Sequence, residues 1–382
     1  MIANGEFVDS VVCDPPYGLV SVTKRFGTNG AAPAKFGTDG AFARQSRGFM
    51  GKLWDGTGIE RDPEFWSLVR QVLKPGGYII AFSSSRTYGY MQVAMEAAGF
   101  ITHPMFGWVF NTGFPKGHDP HVDGFEGWKT GTQSLKPALE PVYFGQKPFS
   151  EKTGALNILR HGVGAVNIDG CRVPGGEARP LVVSDRRSGN NTYHDGLQGS
   201  RADGITDLGR YPANLVHDGS DEVVALFPQS GGQIARSSSS DTRKNQHTYG
   251  DMARGSPDEQ MDPRGDSGSA ARFFNSFPHE GPILCSPKAG KSDRAGSKHA
   301  TVKPIGLMQH FIRLVTPLGG LVLDPFAGTG TTGQAALNEG MRCILMEAEP
   351  EYCRDIRRRF GLPETVSDKM VNLLEAFSAA GS

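Results

Sequence analysis

Two short stretches at opposite ends of the chain carry residue types that do chemistry together. The first is Val11-Val12-Cys13-Asp14-Pro15-Pro16-Tyr17-Gly18. Its apolar run reads as a buried parallel strand. An acid, two prolines and an aromatic ring follow at the strand's carboxyl end, where open α/β sheets hold ligands. The Asp14 side chain and the Pro15 carbonyl can accept hydrogen bonds from an exocyclic amine, while the prolines remove competing backbone donors and stiffen the turn. Tyr17 offers a ring face to a planar base. An amine held this way has its lone pair directed outward, ready to attack an electrophilic methyl group. Taken alone, the stretch also fits an ordinary turn with a structural acid and a packed tyrosine.

The second stretch is Leu321-Val322-Leu323-Asp324-Pro325-Phe326-Ala327-Gly328-Thr329-Gly330-Thr331-Thr332. An apolar strand runs into a glycine-rich turn, and the turn opens a helix from Thr331 to about Glu339, a layout that lets backbone approach a cofactor closely. Residues 342–347 read as the next strand, ending in Glu347 about where an acid binds ribose hydroxyls in nucleotide folds. The third glycine of the dinucleotide fingerprint is missing.

The elements that must position these stretches have βαβ punctuation. From Asp62, the residues Phe65, Trp66, Val69, Val72 and Leu73 share one helical face, and Lys74-Pro75-Gly76-Gly77 predicts the helix end. A buried strand over 78–82 and a second helix over 87–98, stopped by Gly99, follow. Ser83-Ser84-Ser85-Arg86 between them is explained most simply by a helix N-cap. Residues 106–110 and 141–144 read as the last two strands of the sheet. Helices are expected over 305–315 and 350–360, the latter with Arg357, Arg358 and Arg359 near its C-terminal end, where cations suit the helix dipole.

At 382 residues the chain is long enough for one large α/β domain with a smaller inserted one. Lys plus Arg equals Asp plus Glu at 40 each, so no global field advertises a nucleic-acid partner, and any basic surface must be local. The five cysteines form no Cys-x-x-Cys pair and no zinc spacing. Small apolar core residues in a reducing compartment is the expectation for Cys13 and Cys343. No signal-peptide pattern stands at the N-terminus and no apolar run is long enough to span a bilayer, which predicts a cytoplasmic protein with no membrane partner. Residues 18–52 make a long Gly-, Ala- and Phe-rich loop with scattered cations. Residues 149–270 are rich in Gly, Ser, Asp, Arg and Asn, with weak apolar periodicity outside 155–173 and 215–227, so part of this stretch is expected to be disordered off its ligand. Residues 272–303 carry a basic run suited to phosphate contacts.

Asp14-Pro15-Pro16-Tyr17 together with Asp324-Pro325-Phe326-Ala327-Gly328-Thr329-Gly330 resembles the amino-group DNA methyltransferases. The catalytic motif precedes the cofactor motif with a long insertion between them, which resembles the β-class permutation of that family. RNA base methylases and release-factor glutamine methyltransferases usually run in the other order. The resemblance covers roughly 9–148 and 270–360. Asn111-Thr112-Gly113-Phe114-Pro115-Lys116 and Leu135-Lys136-Pro137-Ala138-Leu139-Glu140-Pro141 look closest to phage and prophage-type DNA methylases, although Leu139 departs from the histidine often seen there.

The resemblance implies a permuted Rossmann-like, S-adenosylmethionine-dependent methyltransferase sheet. It would comprise a catalytic half (1–148), an inserted target-recognition region (149–270), a cofactor-binding half (271–360) and a C-terminal tail (361–382). It further implies methylation of adenine N6 in double-stranded DNA with the target base flipped out, with cytosine N4 as the alternative. Asp14, Pro15, Pro16 and Tyr17 would be catalytic. S-adenosylmethionine would be held by Asp324, Phe326, Gly328, Gly330, Thr331, Thr332 and Glu347, with Thr301 and Lys303 near its methionine carboxylate. The loop after Gly18 would close over the target base. The family usually places a strand and a helix with a Gly-Asp pair ahead of the catalytic strand. The short lead before residue 9 leaves no room for them, which opens a reading as a truncated, non-catalytic DNA-binding remnant. An RNA or protein methyltransferase is the third option. The recognition site, restriction partner and oligomeric state leave no mark in the sequence.

Overall fold

A computed structural model describes residues 5–18, 57–111, 113, 115, 117–131, 134–174, 179–184, 200–206, 208–231, 267–277, 291–297 and 302–363. The loop after Gly18, the C-terminal tail beyond residue 363, Thr301 and most of the basic run lie outside the described residues. The chain divides into two compact units, one comprising Met1–Cys171, Asn214–Val223 and Ser276–Ser382, the other Arg172–Ala213 and Val224–Asn275.

The first unit is built on a mixed sheet. Its strands are β1 (Val8–Cys13), β2 (Leu73–Phe82), β3 (Ile101–Thr102), β4 (Phe106–Val109), β5 (Leu139–Gln146), β6 (Leu215–His217), β7 (Leu321–Asp324) and β8 (Arg342–Leu345). They lie in the order β6-β4-β5-β2-β1-β7-β8, with β3 also on β5, and the two-residue strand Asn275–Ser276 pairs on the outer side of β6. β5 runs antiparallel to β2, β3 and β4, and the other neighbours are parallel. The helices of eight residues or more are α1 (Pro63–Val72), α2 (Tyr88–Ala97), α3 (Gly154–His161), α4 (Ile305–Val315), α5 (Thr331–Asn338) and α6 (Pro350–Phe360).

β1 is buried along its whole length because both of its faces are covered. The strand period of two sorts its side chains between two cores. Val12, Ile80 and Phe82 join Phe311, Ile312, Ala335 and Ala336 from α4 and α5. Val11, Cys13, Ile79 and Ala81 join Trp66, Val69, Met91 and Met95 from α1 and α2. The helix after β7 and the helix after β1 therefore cover opposite faces. The point where the winding reverses lies between β7 and β1, and that is where a doubly wound sheet opens a crevice at its carboxyl edge.

Several expectations shift. Lys74-Pro75-Gly76-Gly77 lies inside β2, not before it. Val8 pairs with Leu73 and Ser10 with Tyr78, so the extra residues form a bulge in the strand. A Cβ on Gly77 would sit 2.8 Å from the Asp9 carbonyl oxygen, so this crossing accepts only glycine. β4 and β5 do not complete the sheet, because β6 adds in parallel to β4. The first unit thus takes in both α3 and β6, from within the stretch expected as an insertion. In the second unit, Arg179–Ser184 pairs antiparallel with Ser200–Thr206, and Gln229–Gly231 with Ser267–Ser269. Among the described residues no helix is long and apolar enough to cross a membrane, and no group of His, Cys, Asp and Glu could hold a metal ion.

Candidate active site

β1 and β7 are register partners, Ser10 opposite Val322 and Val11 opposite Leu323. The turn after β1 and the turn after β7 therefore emerge side by side, although they are about 310 residues apart in sequence. Asp9 fixes the other end of this pairing: its carboxylate accepts from the Leu321 amide at 2.7 Å and from Lys74 Nζ at 2.6 Å.

In the first turn Pro15 and Pro16 are buried, while Asp14 and Tyr17 are partly open. Gly18 closes the turn with φ +55°, and a Cβ there would fall 1.8 Å from Glu60 Oε1. Glu60, only 1% exposed, is held by Arg61 Nε at 2.8 Å. Its backbone carbonyl accepts from Trp66 Nε1 at 3.0 Å. Arg61 also donates to the Gly18 carbonyl at 2.8 Å. The residues just before α1 thus brace the exit of the Asp-Pro-Pro-Tyr turn.

The second turn is held by its own carboxylates. Asp324 accepts from the Phe326 amide at 2.9 Å and from the Thr332 hydroxyl at 2.5 Å. Burial pushes its pKa up to about 7, with smaller contributions from Asp14 and Glu347. Gly328 and Gly330 adopt φ +52° and +79°. At Gly330, the N-cap of α5, a Cβ would come within 3.0 Å of the Phe360 ring. Glu347, just past β8, accepts from the Gly328 amide through Oε2 and from the Glu349 amide through Oε1, each at 2.8 Å. Burial raises its pKa as well. The Gly330 amide is spent on the Ala327 carbonyl and the Ala327 amide on the Met346 carbonyl. With its amides already used and two carboxylates beside it, the turn suits ribose hydroxyls and a cationic centre. A pyrophosphate would need those amides free.

Of the residues singled out for cofactor contact, several serve the turn itself. Asp324 and Thr332 bond to each other, and the Thr331 hydroxyl lies 3.2 Å from that of Thr329. Phe326 packs on Phe65 and Trp66, with ring centroids at 5.2 and 6.3 Å. Arg359 does more than suit a helix dipole. Its Nε donates to the Thr329 carbonyl at 2.8 Å, and its Nη2 to the Asp293 carbonyl at 2.5 Å. Asp293 in turn accepts from the Ile305 amide at 2.9 Å, fastening the start of α4.

Lys303 departs most from expectation. Its contacts face the Asp-Pro-Pro-Tyr turn: Nζ donates to Asp14 Oδ2 at 2.5 Å and to the Tyr17 hydroxyl at 3.0 Å, and lies 3.6 Å from Glu140 Oε2. It also sits 4.8 Å from the centre of the Phe82 ring. Burial lowers its pKa, and the charge of Asp14 opposes that shift. Asp14 Oδ1 is buried with no hydrogen-bond partner among the described residues. The site therefore holds one buried carboxylate oxygen with no partner among the described residues, while the other oxygen is pinned by Lys303. Farther along the same edge, the Asn111 amide donates to Asp218 at 2.9 Å and its side chain to Glu222 at 2.8 Å. The sequence reading missed Glu60 and Glu140. Glu140 stood inside a quoted motif, but nothing in that motif tied it to Lys303.

A family model described as DNA methylase, for N6 and N4 methyltransferases, matches residues 8–358. Type II methyltransferase M2.DpnII of Streptococcus pneumoniae is 42% identical over 69 residues, 18% of this chain and 26% of that protein. Type II methyltransferase M2.MboI of Moraxella bovis is 38% identical over 74 residues, 19% of this chain and 27% of that protein. The chain thus spans about a quarter of the length of these relatives. A solved PvuII DNA methyltransferase, cytosine-N4-specific, is 15% identical with a TM-score of 0.41 over 96% of this chain and 84% of that one, a likeness too loose to carry an argument. With the match running from the first strand into the last described helix, the chain belongs to the N6/N4 DNA methylase family.

Proposed function

We propose that this protein transfers a methyl group from S-adenosylmethionine to the N6 amino group of adenine in double-stranded DNA. The observation that carries the reading is the unpartnered Asp14 Oδ1 beside Tyr17, on the strand next to the Gly328–Gly330 turn and Glu347. S-adenosylmethionine, when bound, supplies a methyl group activated by its sulfonium. Glu347 suits its ribose hydroxyls, and the glycine turn admits close backbone approach.

The chain's own residues hold the amine. Asp14 Oδ1 and the Pro15 carbonyl accept its two N–H bonds, and Tyr17 stacks on the base, which must leave the duplex to reach them. The amine lone pair forms the new N–C bond as the C–S bond breaks, and sulfur keeps that electron pair. The positive charge passes to nitrogen, which then gives its extra proton to solvent water and regains neutrality. Asp14 acts as an acceptor that orients the amine, so positioning supplies most of the rate. The target-recognition role falls to the second unit with its two antiparallel strand pairs.

Incubation with methyl-labelled S-adenosylmethionine and duplex DNA, followed by digestion to nucleosides and mass identification, tests this. Label in N6-methyladenosine is expected. Label in N4-methylcytidine would overturn the choice of base, label in RNA or protein alone would overturn DNA as substrate, and no label would overturn the activity.

A further inference from the structure

Glu140 opens the antiparallel strand β5 at the same sheet edge, is 5% exposed, and belongs to neither turn. Its Oε2 lies 3.6 Å from Lys303 Nζ, whose donated hydrogen bonds go to Asp14 Oδ2 and the Tyr17 hydroxyl. Two carboxylates and one ammonium are thus gathered in a site largely closed to water, where an uncompensated charge is costly and every charge acts strongly on its neighbours. A lone Lys303–Asp14 pair would be neutral, and the lysine would draw electron density away from the oxygen that must hold the amine. Glu140 brings a second carboxylate to the same ammonium, 3.6 Å away.

We propose that Glu140 is a positioning residue that acts through Lys303. It holds the ammonium on Asp14 Oδ2, so that Oδ1 is left for the substrate amine, and it sets a second carboxylate near the place where positive charge gathers on nitrogen. The inference rests on the methyl-transfer reading above. Electrostatic groups fixed in advance toward a developing charge act on the transition state more than on the bound ground state. Glu140 therefore works on turnover and leaves cofactor affinity alone.

The test uses the full chain and the variants Glu140→Gln, Glu140→Asp, Lys303→Met and the double variant Glu140→Gln/Lys303→Met. Single-turnover transfer from labelled S-adenosylmethionine to duplex DNA is measured beside cofactor affinity by calorimetry. Glu140→Gln should slow transfer roughly a hundredfold, keep cofactor affinity within about twofold, and be partly rescued by Glu140→Asp. In the Lys303→Met background the same change should alter the rate by no more than about twofold. A full Glu140→Gln effect in that background, or none in the wild-type background, overturns the proposal. A second readout needs no activity: the side-chain ammonium of Lys303, followed by NMR in lysine-labelled protein, should lose its proton at lower pH in Glu140→Gln than in wild type. An unchanged titration overturns the role of Glu140 even if the wild type is active. A wild-type protein that transfers no methyl group to DNA overturns the methyl-transfer reading, and the NMR result then decides the Glu140–Lys303 coupling by itself.

Discussion

Lys303 Nζ lies 2.5 Å from Asp14 Oδ2, joining two residues that stand 289 positions apart in the chain. The contact ties the segment entering α4 to the turn leaving β1, and with it the two halves of the matched family domain. Lys303→Met should strip Asp14 of its buried partner. Breaking a buried pair from one side costs about 3–5 kcal/mol, so a lower melting temperature and slowed, still measurable methyl transfer are expected together. Calorimetric melting and a transfer assay check both.

Gly18 tests the bracing of the Asp-Pro-Pro-Tyr turn. Alanine there meets Glu60 Oε1 at 1.8 Å and must hold φ +55°. A cost of about 1–3 kcal/mol is expected from the backbone alone, together with a displaced Asp14 and sharply reduced transfer. Glu60→Gly in the same chain should return part of the activity by removing the clash, which a rate comparison of single and double variants reads directly.

The elements that could be read from sequence were those with a full local signal. α4 and α6 fall where apolar period and an initial proline put them, at Ile305–Val315 and Pro350–Phe360. Asp14-Pro15-Pro16-Tyr17 and the Gly328–Gly330 turn were legible because their chemistry is local. Lys74-Pro75-Gly76-Gly77 does follow the helix end at Val72, but the next strand begins at Leu73 and takes these residues in as a bulge. β6, with three residues, is too short to show a period. The partners of Lys303, Glu140 and Arg359 were hidden because each contact joins distant segments that only the sheet order brings together.

Two buried groups should oppose each other in the pH dependence of stability. Asp324, pushed up to about 7, keeps its proton in the fold where the unfolded chain has lost it. Its contribution is complete below about pH 4 and is lost as pH rises through about 7. His310, buried between Phe277 and Phe311 and pushed down to about 4, contributes fully above about pH 6.5, and that contribution is lost as pH falls through about 4. Relative to wild type, Asp324→Asn should lose stability as pH falls from 7 to 4. His310→Phe should lose it as pH rises over the same range. Melting curves at stepped pH check the two signs, and parallel curves would contradict them.

Glu347 is expected to matter for the cofactor half. Its carboxylate satisfies the amides of Gly328 and Glu349. Glu347→Ala leaves two donors unpaired at a cost of about 1–3 kcal/mol each. S-adenosylmethionine affinity should fall at least about tenfold, and the melting temperature should drop as well, because the turn it supports packs Phe326 on Trp66 of the second core. Titration calorimetry measures the first and thermal unfolding the second.

The core under the site is Phe311, fully buried with its ring at 5.2 Å from Phe106 and 5.6 Å from Phe82. Phe311→Ala should cost about 3–5 kcal/mol. Denaturant unfolding would show the loss as a lower midpoint at unchanged slope.

In the proposed reaction Asp14 holds the amine through Oδ1, the carboxylate oxygen that Lys303 does not engage, while the cofactor is held elsewhere. Asp14→Asn keeps the size and shape of the side chain but replaces one acceptor oxygen with a donor. Single-turnover transfer from cofactor-saturated protein to duplex DNA is therefore the direct measurement, with cofactor affinity recorded on the same sample. The expected result is affinity within about threefold of wild type and transfer slowed by at least about a hundredfold. Transfer at the wild-type rate, or a loss explained entirely by weaker cofactor binding, would contradict the assignment of Asp14.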